Sequence, residues 1–456
     1  MDEDIPDWVK QLAGILPLSA VIDFLDVPRV LHVFNLRGAV PAWCWPITPA
    51  GSRLLLKSFS PIEPCFLDRY ESGPKPLCWD GRYGDEYPMA NAATVSLANQ
   101  AVVPHVVINA HPNLEAERGK RPQTLEVVCV LPASAQDADL ERGKDRVHHH
   151  SDSWHTFLLA LTGILISSRK NKITFFHNAT VIIGWAAWIC LVAICAARAW
   201  WVAFAFLILI ITSGLLFALV HGNTPRHLGQ RDPSEHQRAV ISASNVNATD
   251  WVVYHGRSDV VNSLVNWPLQ PSPRVTPHWI FWQMLRLAIY GQWALAVGAA
   301  AQQHWDAYVI TAWIFVCIFA IDFVFCSKHA VYEWMNRCAG LRLERITVQV
   351  SSRRALLNAI IAINGDTFHP DPKGHDSIPV YREAGIRCLD EILEPCEERK
   401  DWLEATRIFL HKDQYPPGHF DTVRAKYEGD PKKYWWWRFI QEGTTIAQGL
   451  KQTMPK

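Results

Sequence analysis

No charge of either sign predominates in this sequence: 44 lysines and arginines stand against 44 aspartates and glutamates, and the formal net charge is zero. A nucleic-acid-binding domain carries a basic patch or stripe, so no nucleic-acid partner is expected. Cysteine pairs are also missing. The eleven cysteines are scattered, odd in number and without a CxxC spacing, which argues against a disulfide scaffold and a zinc site and fits reducing surroundings for the hydrophilic parts. A secretory signal is absent as well, because MDEDIPDWVKQLAGILPLSAVIDFLDVPRV opens acidic and carries Asp23, Asp26 and Arg29 within its apolar part. No GxSxG, GxGxxG, Walker A or HExxH pattern occurs where its mechanism requires it. No motif names a reaction or a cofactor.

What the sequence does have is apolar residues concentrated in 174–220 and 277–326. A helix crossing about 30 Å of hydrocarbon needs roughly 20 residues, so each run holds two spans. Thr174 to Ala197 and Trp200 to Val220 form the first hairpin, with Arg198 at its tip. Pro277 to Ala301 and Trp305 to Cys326 form the second, turned by QQHWD. Tryptophans collect at membrane interfaces, and Trp200, Trp201 and Trp305 fall there. Basic residues flank the opposite ends: Arg169, Lys170 and Lys172, then Arg226, Arg231 and Arg274, then Lys328, Arg337, Arg342 and Arg345. The positive-inside rule makes those ends cytosolic, with both termini; endoplasmic reticulum and plasma membrane are not distinguished. The sequons at Asn178 and Asn247 then lie on the cytosolic side and stay unglycosylated.

The expected architecture is a mainly α membrane protein in four regions. Residues 1–155 read as a β-rich cytosolic domain, from runs such as AATVSLANQAVVPHVVINA and QTLEVVCVLPA. Residues 156–173 read as an interfacial helix. Residues 174–326 are the four-helix transmembrane domain with a cytosolic loop at 221–276, and residues 327–456 are a helical cytosolic region by their three- and four-residue apolar spacing. In the tail KKYWWWRF, 432 to 439, three tryptophans between basic residues suit either a soluble core or a membrane-surface anchor.

The paired hairpins, the loop DWVVYHGRSDVVNSLVNWPL (Asp250 to Leu269) and the stretch RRALLNAIIAINGDTF (Arg353 to Phe368) resemble a group of multi-pass membrane proteins of filamentous fungi whose activity is uncharacterised. The resemblance covers roughly residues 174–370. It implies a fungal source and an accessory role in small-molecule (secondary) metabolism.

Two sets of residues could carry chemistry. A charge within hydrocarbon costs several kcal/mol unless paired or hydrated. Arg286 in the third span and Asp322 in the fourth lie at depths that a long arginine can bridge, with Gln283 one turn away. The three form either a hairpin-locking salt bridge or a polar pocket. His177, His221, His278 and His329 fall at the cytosolic ends of the four spans, where a ring of imidazoles could hold a haem or metal; histidines that each sit independently in the headgroup zone are the plainer reading. Two functions stay open. One is a membrane scaffold or accessory protein that engages the lipid bilayer and soluble cytosolic partners. The other is a membrane-bound enzyme, such as a cyclase or oxidoreductase, acting on a lipid-soluble polyketide or terpenoid at the cytosolic mouth of the bundle.

Overall fold

The computed structural model describes residues 27–37, 41–44, 75–104, 106–109, 122–133, 172–221, 225–229, 233–270, 278–325, 327–369, 378–390, 392–430 and 433–455, with positions 11 and 68 singly. In chain order the elements begin with α1 (Val27–Arg37), β1 (Leu77–Asp80), β2 (Glu86–Pro88), α2 (Ala92–Ala101), β3 (Val106–Asn109) and β4 (Gln123–Pro132). Two long helices follow, α3 (Lys172–Ala197) and α4 (Trp201–His221), then β5 (Gln237–Ala243), β6 (Asp250–Arg257) and α5 (Ser258–Val265). Next come α6 (His278–Gln302), α7 (Trp305–Phe319) with a π-turn Ala320–Val324, α8 (Ser327–Trp334) with a π-turn Met335–Ala339, β7 (Leu341–Val350) and α9 (Arg353–Ile363). The chain ends with β8 (Phe368–His369), β9 (Val380–Tyr381), α10 (Glu383–Ile386), α11 (Glu397–Leu410), α12 (His419–Glu428) and α13 (Tyr434–Thr453). These elements form two compact units. One comprises 1–71, 134–228 and 269–340, the other 72–133, 229–268 and 341–456.

The helical unit contains both apolar hairpins. Among the described residues three of its helices have segments long and apolar enough to cross a membrane: Asn178–Ala197, Trp201–Val220 and Trp279–Gln302. The fourth apolar helix, Trp305–Phe319, is shorter, but the π-turn continues it without a break through Val324. Ile183, Leu287, Phe319 and Phe323 are all more than half exposed, an apolar surface that suits lipid contact. Both hairpins turn on a non-glycine residue in the left-handed region, Ala199 at φ 57 and Gln303 at φ 50. At the first tip Trp200 N donates to Cys195 O at 2.9 Å and Ala199 N to Ala196 O at 3.2 Å, a Schellman cap that satisfies the last carbonyls of α3. Arg198 sits exposed at this tip, where its charge reaches solvent.

A feature invisible to hydropathy lies inside this unit. The turn 41–44 is buried over all four residues. Trp43, 1% exposed, presses on Gly184 at the middle of α3, where a Cβ would overlap its indole. Ala42 Cα would lie 3.0 Å from a Cβ on Gly214 of α4. Trp43 also meets Trp313 of α7 edge-on at 6.0 Å between ring centroids. The expected β-rich domain 1–155 is thus divided, because α1 and this turn belong with the helices.

The second unit is an α/β sheet in the order β2-β1-β5-β6-β4-β7-β3. β4 pairs parallel to β6 and antiparallel to β7, β3 pairs parallel to β7, and the remaining neighbours are antiparallel. Alternation of side chains across a strand gives each face its cover. Leu125, Val127, Cys129, Trp251, Val253, Ile346 and Val348 form one core with α9, α11 and α13. On the other face Asn99 Nδ2 of α2 donates to the Tyr254 hydroxyl at 2.9 Å, and Asn91 Nδ2 joins the start of α2 to Leu264 O of α5 at 2.9 Å.

Strand periodicity identified QTLEVVCVLPA as β-structure but could not say which chain would fill its ladders, and both partners of β4 come from beyond a helical hairpin. The sheet therefore unites the N-terminal region, the loop 221–276 and the region 327–456, each of which the sequence suggested separately. Two local expectations change. AATVSLANQA is the helix α2, its alanines outweighing its single threonine and valine. LRLERITVQV, expected to be helical, is β7, with burial that alternates along the strand. Gly340 at φ 63 ends the preceding helical segment and frees the chain to extend. The interfacial helix expected at 156–173 lies outside the described residues apart from the start of α3.

Candidate functional site

Of the residues singled out within the spans, the side chains of Arg286, Gln283 and His329 are described. Arg286 is half-buried in α6, with its guanidinium 4.1 Å from the centroid of the Trp282 ring, a cation–π contact one turn away. Gln283 is exposed. Asp322 lies in the π-turn Ala320–Val324, and its side chain is outside the described residues, so the Arg286–Asp322 pair is too. His177, His221 and His278 lie on α3, α4 and α6 with side chains likewise outside them, while His329 on α8 is exposed. Among the described residues no group of three or more His, Cys, Asp or Glu could hold a metal ion.

Other polar residues tie the helices together. Gln292 Nε2 of α6 donates to Leu209 O at 3.0 Å and to Ser213 Oγ at 2.8 Å on α4. Asp306, buried at the start of α7, accepts from Ala203 N at 2.8 Å. Its carboxylate therefore caps the N-terminus of α4, where free amides and the helix dipole favour negative charge, and Trp200 stacks on Trp305 beside it. In the same unit α1 meets α8 through Arg37 Nη2 and Glu333 Oε2 at 2.5 Å, with Arg337 Nη1 on the other carboxylate oxygen at 2.9 Å. Behind them His32, Asn35, Asp68 and Arg226 are all buried. His32 is pushed down to about 3 by burial first and by the Arg226 charge second; Asp68 Oδ2 lies 4.0 Å from its Nε2. Its imidazole is neutral at physiological pH.

The densest convergence of charge in the α/β unit lies where the end of β1 meets the start of β5. Asp80, the last residue of β1, is buried. Its Oδ1 accepts from the backbone N of Arg82 at 2.8 Å and of Tyr83 at 2.9 Å, and its Oδ2 pairs with Arg238. Burial lowers the Arg238 pKa, opposed by the charge of Asp366. The loop after α9 brings Asp366 within 3.4 Å of His236 Nε2 and 3.7 Å of Arg382 Nη1. Arg82 Nη1 contacts the same His236 Nε2. Tyr83, 57% exposed, has the Arg82 and Arg238 guanidiniums 5.5 and 5.7 Å from its ring centroid.

The backbone holds this arrangement firmly. Asn364, the residue that ends α9, donates from Nδ2 to Gly81 O at 2.8 Å, and Gly81 N donates to Ala239 O at 2.9 Å. A Cβ on Gly81 would lie 2.7 Å from Ala239 O, so glycine alone allows this approach. DGRYGD reads as a turn in sequence, but its partners His236, Asp366 and Arg382 are supplied by two distant segments, which no local pattern reveals. The tail KKYWWWRF divides between its two possible roles: Trp437 is buried against Phe409, Phe420 and Tyr427, whereas Tyr434 and Trp435 remain exposed beside Arg438. No protein-family model, no curated protein and no solved structure matches this chain.

Proposed function

We propose that this chain is a multi-pass integral membrane protein with four crossings, which holds a folded α/β unit on the cytosolic side as a membrane-anchored binding and scaffolding module. The observation that carries the reading is the strand pairing: β4 is bonded to β6 and β7, and β5 to β6. Backbone ladders of this kind do not run through hydrocarbon, so the chain that leaves after β4 returns to the same side before β5, and the chain that leaves after α5 returns before β7. Each excursion then contains an even number of crossings. Among the described residues the first has two membrane-length helices. The second has one together with Trp305–Phe319, so α7 crosses as well, and at about 1.5 Å per residue the continuous helix 305–324 reaches close to the roughly 30 Å required. Basic residues flanking the excursions put the sheet in the cytosol by the positive-inside rule.

The turn 41–44 fits the same reading. Irregular backbone is tolerated at membrane depth only when protein buries it, and this turn packs on Gly184, Gly214 and Trp313, each well inside its own helix. Protease protection in sealed microsomes tests the proposal. External protease should cut all three of the segments 72–133, 229–268 and 341–456 and leave the two hairpins intact. Protection of any one of those three segments while the others are digested rules it out.

A further inference from the structure

We propose that the arginine–histidine cluster at the β1/β5 end of the sheet is a binding site for a phosphate group, and that its arrival exchanges the partner of His236. The proposal rests on the α/β unit by itself and holds whatever the number of membrane crossings.

Charge matching within the cluster is the first argument. Three guanidiniums, Arg82, Arg238 and Arg382, stand with His236 against two carboxylates, Asp80 and Asp366. Asp80 is fully committed, one oxygen to the turn amides and the other to Arg238. Asp366 lies between His236 and Arg382 at 3.4 and 3.7 Å, longer than the roughly 2.7–2.9 Å of a tight charge-assisted bond. That leaves Arg82. Its guanidinium touches an imidazole nitrogen and a tyrosine ring, and no carboxylate among the described residues pairs with it. A planar fork of donors is thereby aimed at a group far weaker than the oxyanion it suits.

Proton placement is the second argument. His236 Nε2 faces the donor Arg82 and the acceptor Asp366 at once. An unprotonated Nε2 accepts from Arg82 and presents a lone pair to the carboxylate; a protonated Nε2 donates to Asp366 and opposes Arg82. One protonation state satisfies one partner only. An oxyanion that takes Arg82 resolves the conflict, because Nε2 can then carry the imidazole proton and donate to Asp366. The groups facing this imidazole are Arg82 from the β1–β2 turn, Asp366 from the loop after α9, Arg382 beyond that carboxylate, and Arg238 with Asp80 on the two strands.

The site is also open and preorganised. Side-chain exposure is 40% for His236 and 33% for Arg382, so a soluble ligand can reach both, while Asn364, Gly81 and Gly84 fix the turn that carries Arg82. Gly84, at φ 71, leaves a Cβ no space beside Ala384 O.

Calorimetric titration of the full-length chain in detergent, in phosphate-free buffer, tests this with inorganic phosphate, glycerol phosphate and a water-soluble short-chain phosphatidate. Saturable binding in the millimolar range or tighter is expected. Arg82→Gln should weaken it roughly tenfold or more. Nitrogen NMR of histidine-labelled protein, with His236→Gln to assign the signal, should show the imidazole proton of His236 on Nε2 when phosphate is bound. If Arg82→Gln fails to fold, Arg382→Gln serves in its place, with a smaller loss. Similar affinity for glycerol phosphate and phosphatidate assigns the site to soluble phosphates, and affinity confined to phosphatidate assigns it to a lipid headgroup. No binding of any of the three, or binding that the arginine variants leave unchanged, overturns the proposal. Binding that leaves Nε2 of His236 without a proton overturns the His236 exchange.

Discussion

Gly184→Ala is the most direct probe of the buried turn 41–44. Glycine in a helix interior ordinarily costs about 0.5–1 kcal/mol relative to alanine, so on an unobstructed face of α3 this change should stabilise. Here the new methyl would fall on the indole of Trp43. That ring is 1% exposed and held by Trp313 and Phe325, at 6.0 and 6.2 Å between centroids. It has nowhere to retreat, and overpacking of this kind costs about 1–3 kcal/mol. Trp43→Ala should itself cost about 3–5 kcal/mol, the range for large-to-small changes at buried aromatics. The double variant discriminates. With the indole gone, the methyl enters free space and Gly184→Ala should become neutral or stabilising, giving a coupling of about 1–4 kcal/mol. Reversible unfolding in mixed micelles, followed by circular dichroism, measures all four corners of the cycle. Additivity within about 0.3–0.5 kcal/mol would show that the two residues do not touch and that the turn is not inserted between the helices.

Other perturbations follow from the same contacts. His32 is neutral and buried, with its pKa lowered to about 3 from the ordinary value near 6.5. The unfolded chain therefore binds the extra proton first, and stability present above pH ~6.5 falls by up to about 1.4 kcal/mol per unit as the pH drops toward 3; His32→Asn should flatten that slope in a pH series of unfolding midpoints, and an unchanged slope would refute the assignment. Asp306→Ala removes the cap on Ala203 N and should cost about 1 kcal/mol, with Asp306→Asn costing less; equal losses would mean that the charge and not the hydrogen bond matters. Asn247 lies in the β5–β6 connection and accepts from Arg353 Nη1 at 3.3 Å. It should show no glycosidase-sensitive mobility shift, and a shift abolished by Asn247→Gln would invert the orientation.

Hydropathy located the apolar hairpins because a membrane-length helix is written in consecutive residues. Trp201 to Val220 contains no charged residue, and its limits in the structure differ from the sequence reading by a residue. Strands such as β4 were legible for the same local reason. Partnership was not. The pairing of Val127 with both Val253 and Ile346 joins positions separated by whole hairpins, and period-2 alternation is silent about which strand completes a ladder. The turn around Trp43 was hidden for a related reason: PAWC has neither the length nor the periodicity of a span, and only Gly184 and Gly214 on distant helices make room for it. The cluster at Asp80 escaped because its members come from β1 and the turn after it, the start of β5, the loop after α9 and the residue after β9, with no spacing that a motif could record. The sequence drew attention to histidines and charges within the spans, whereas the Asp80 cluster is assembled only by the folding of the sheet.

Single-cysteine labelling from each side of sealed vesicles tests the four-crossing topology most directly. Asp85→Cys, Asn245→Cys and Asp413→Cys sample the three segments that build the sheet, and all three positions are exposed. They should react with a membrane-impermeant maleimide from one and the same side. Arg198→Cys and Gln303→Cys, at the exposed hairpin tips, should react only from the other. Labelling of Gln303→Cys from the sheet side would show that α6 and α7 do not cross, and a split among the three sheet positions would show that their strands cannot share one sheet.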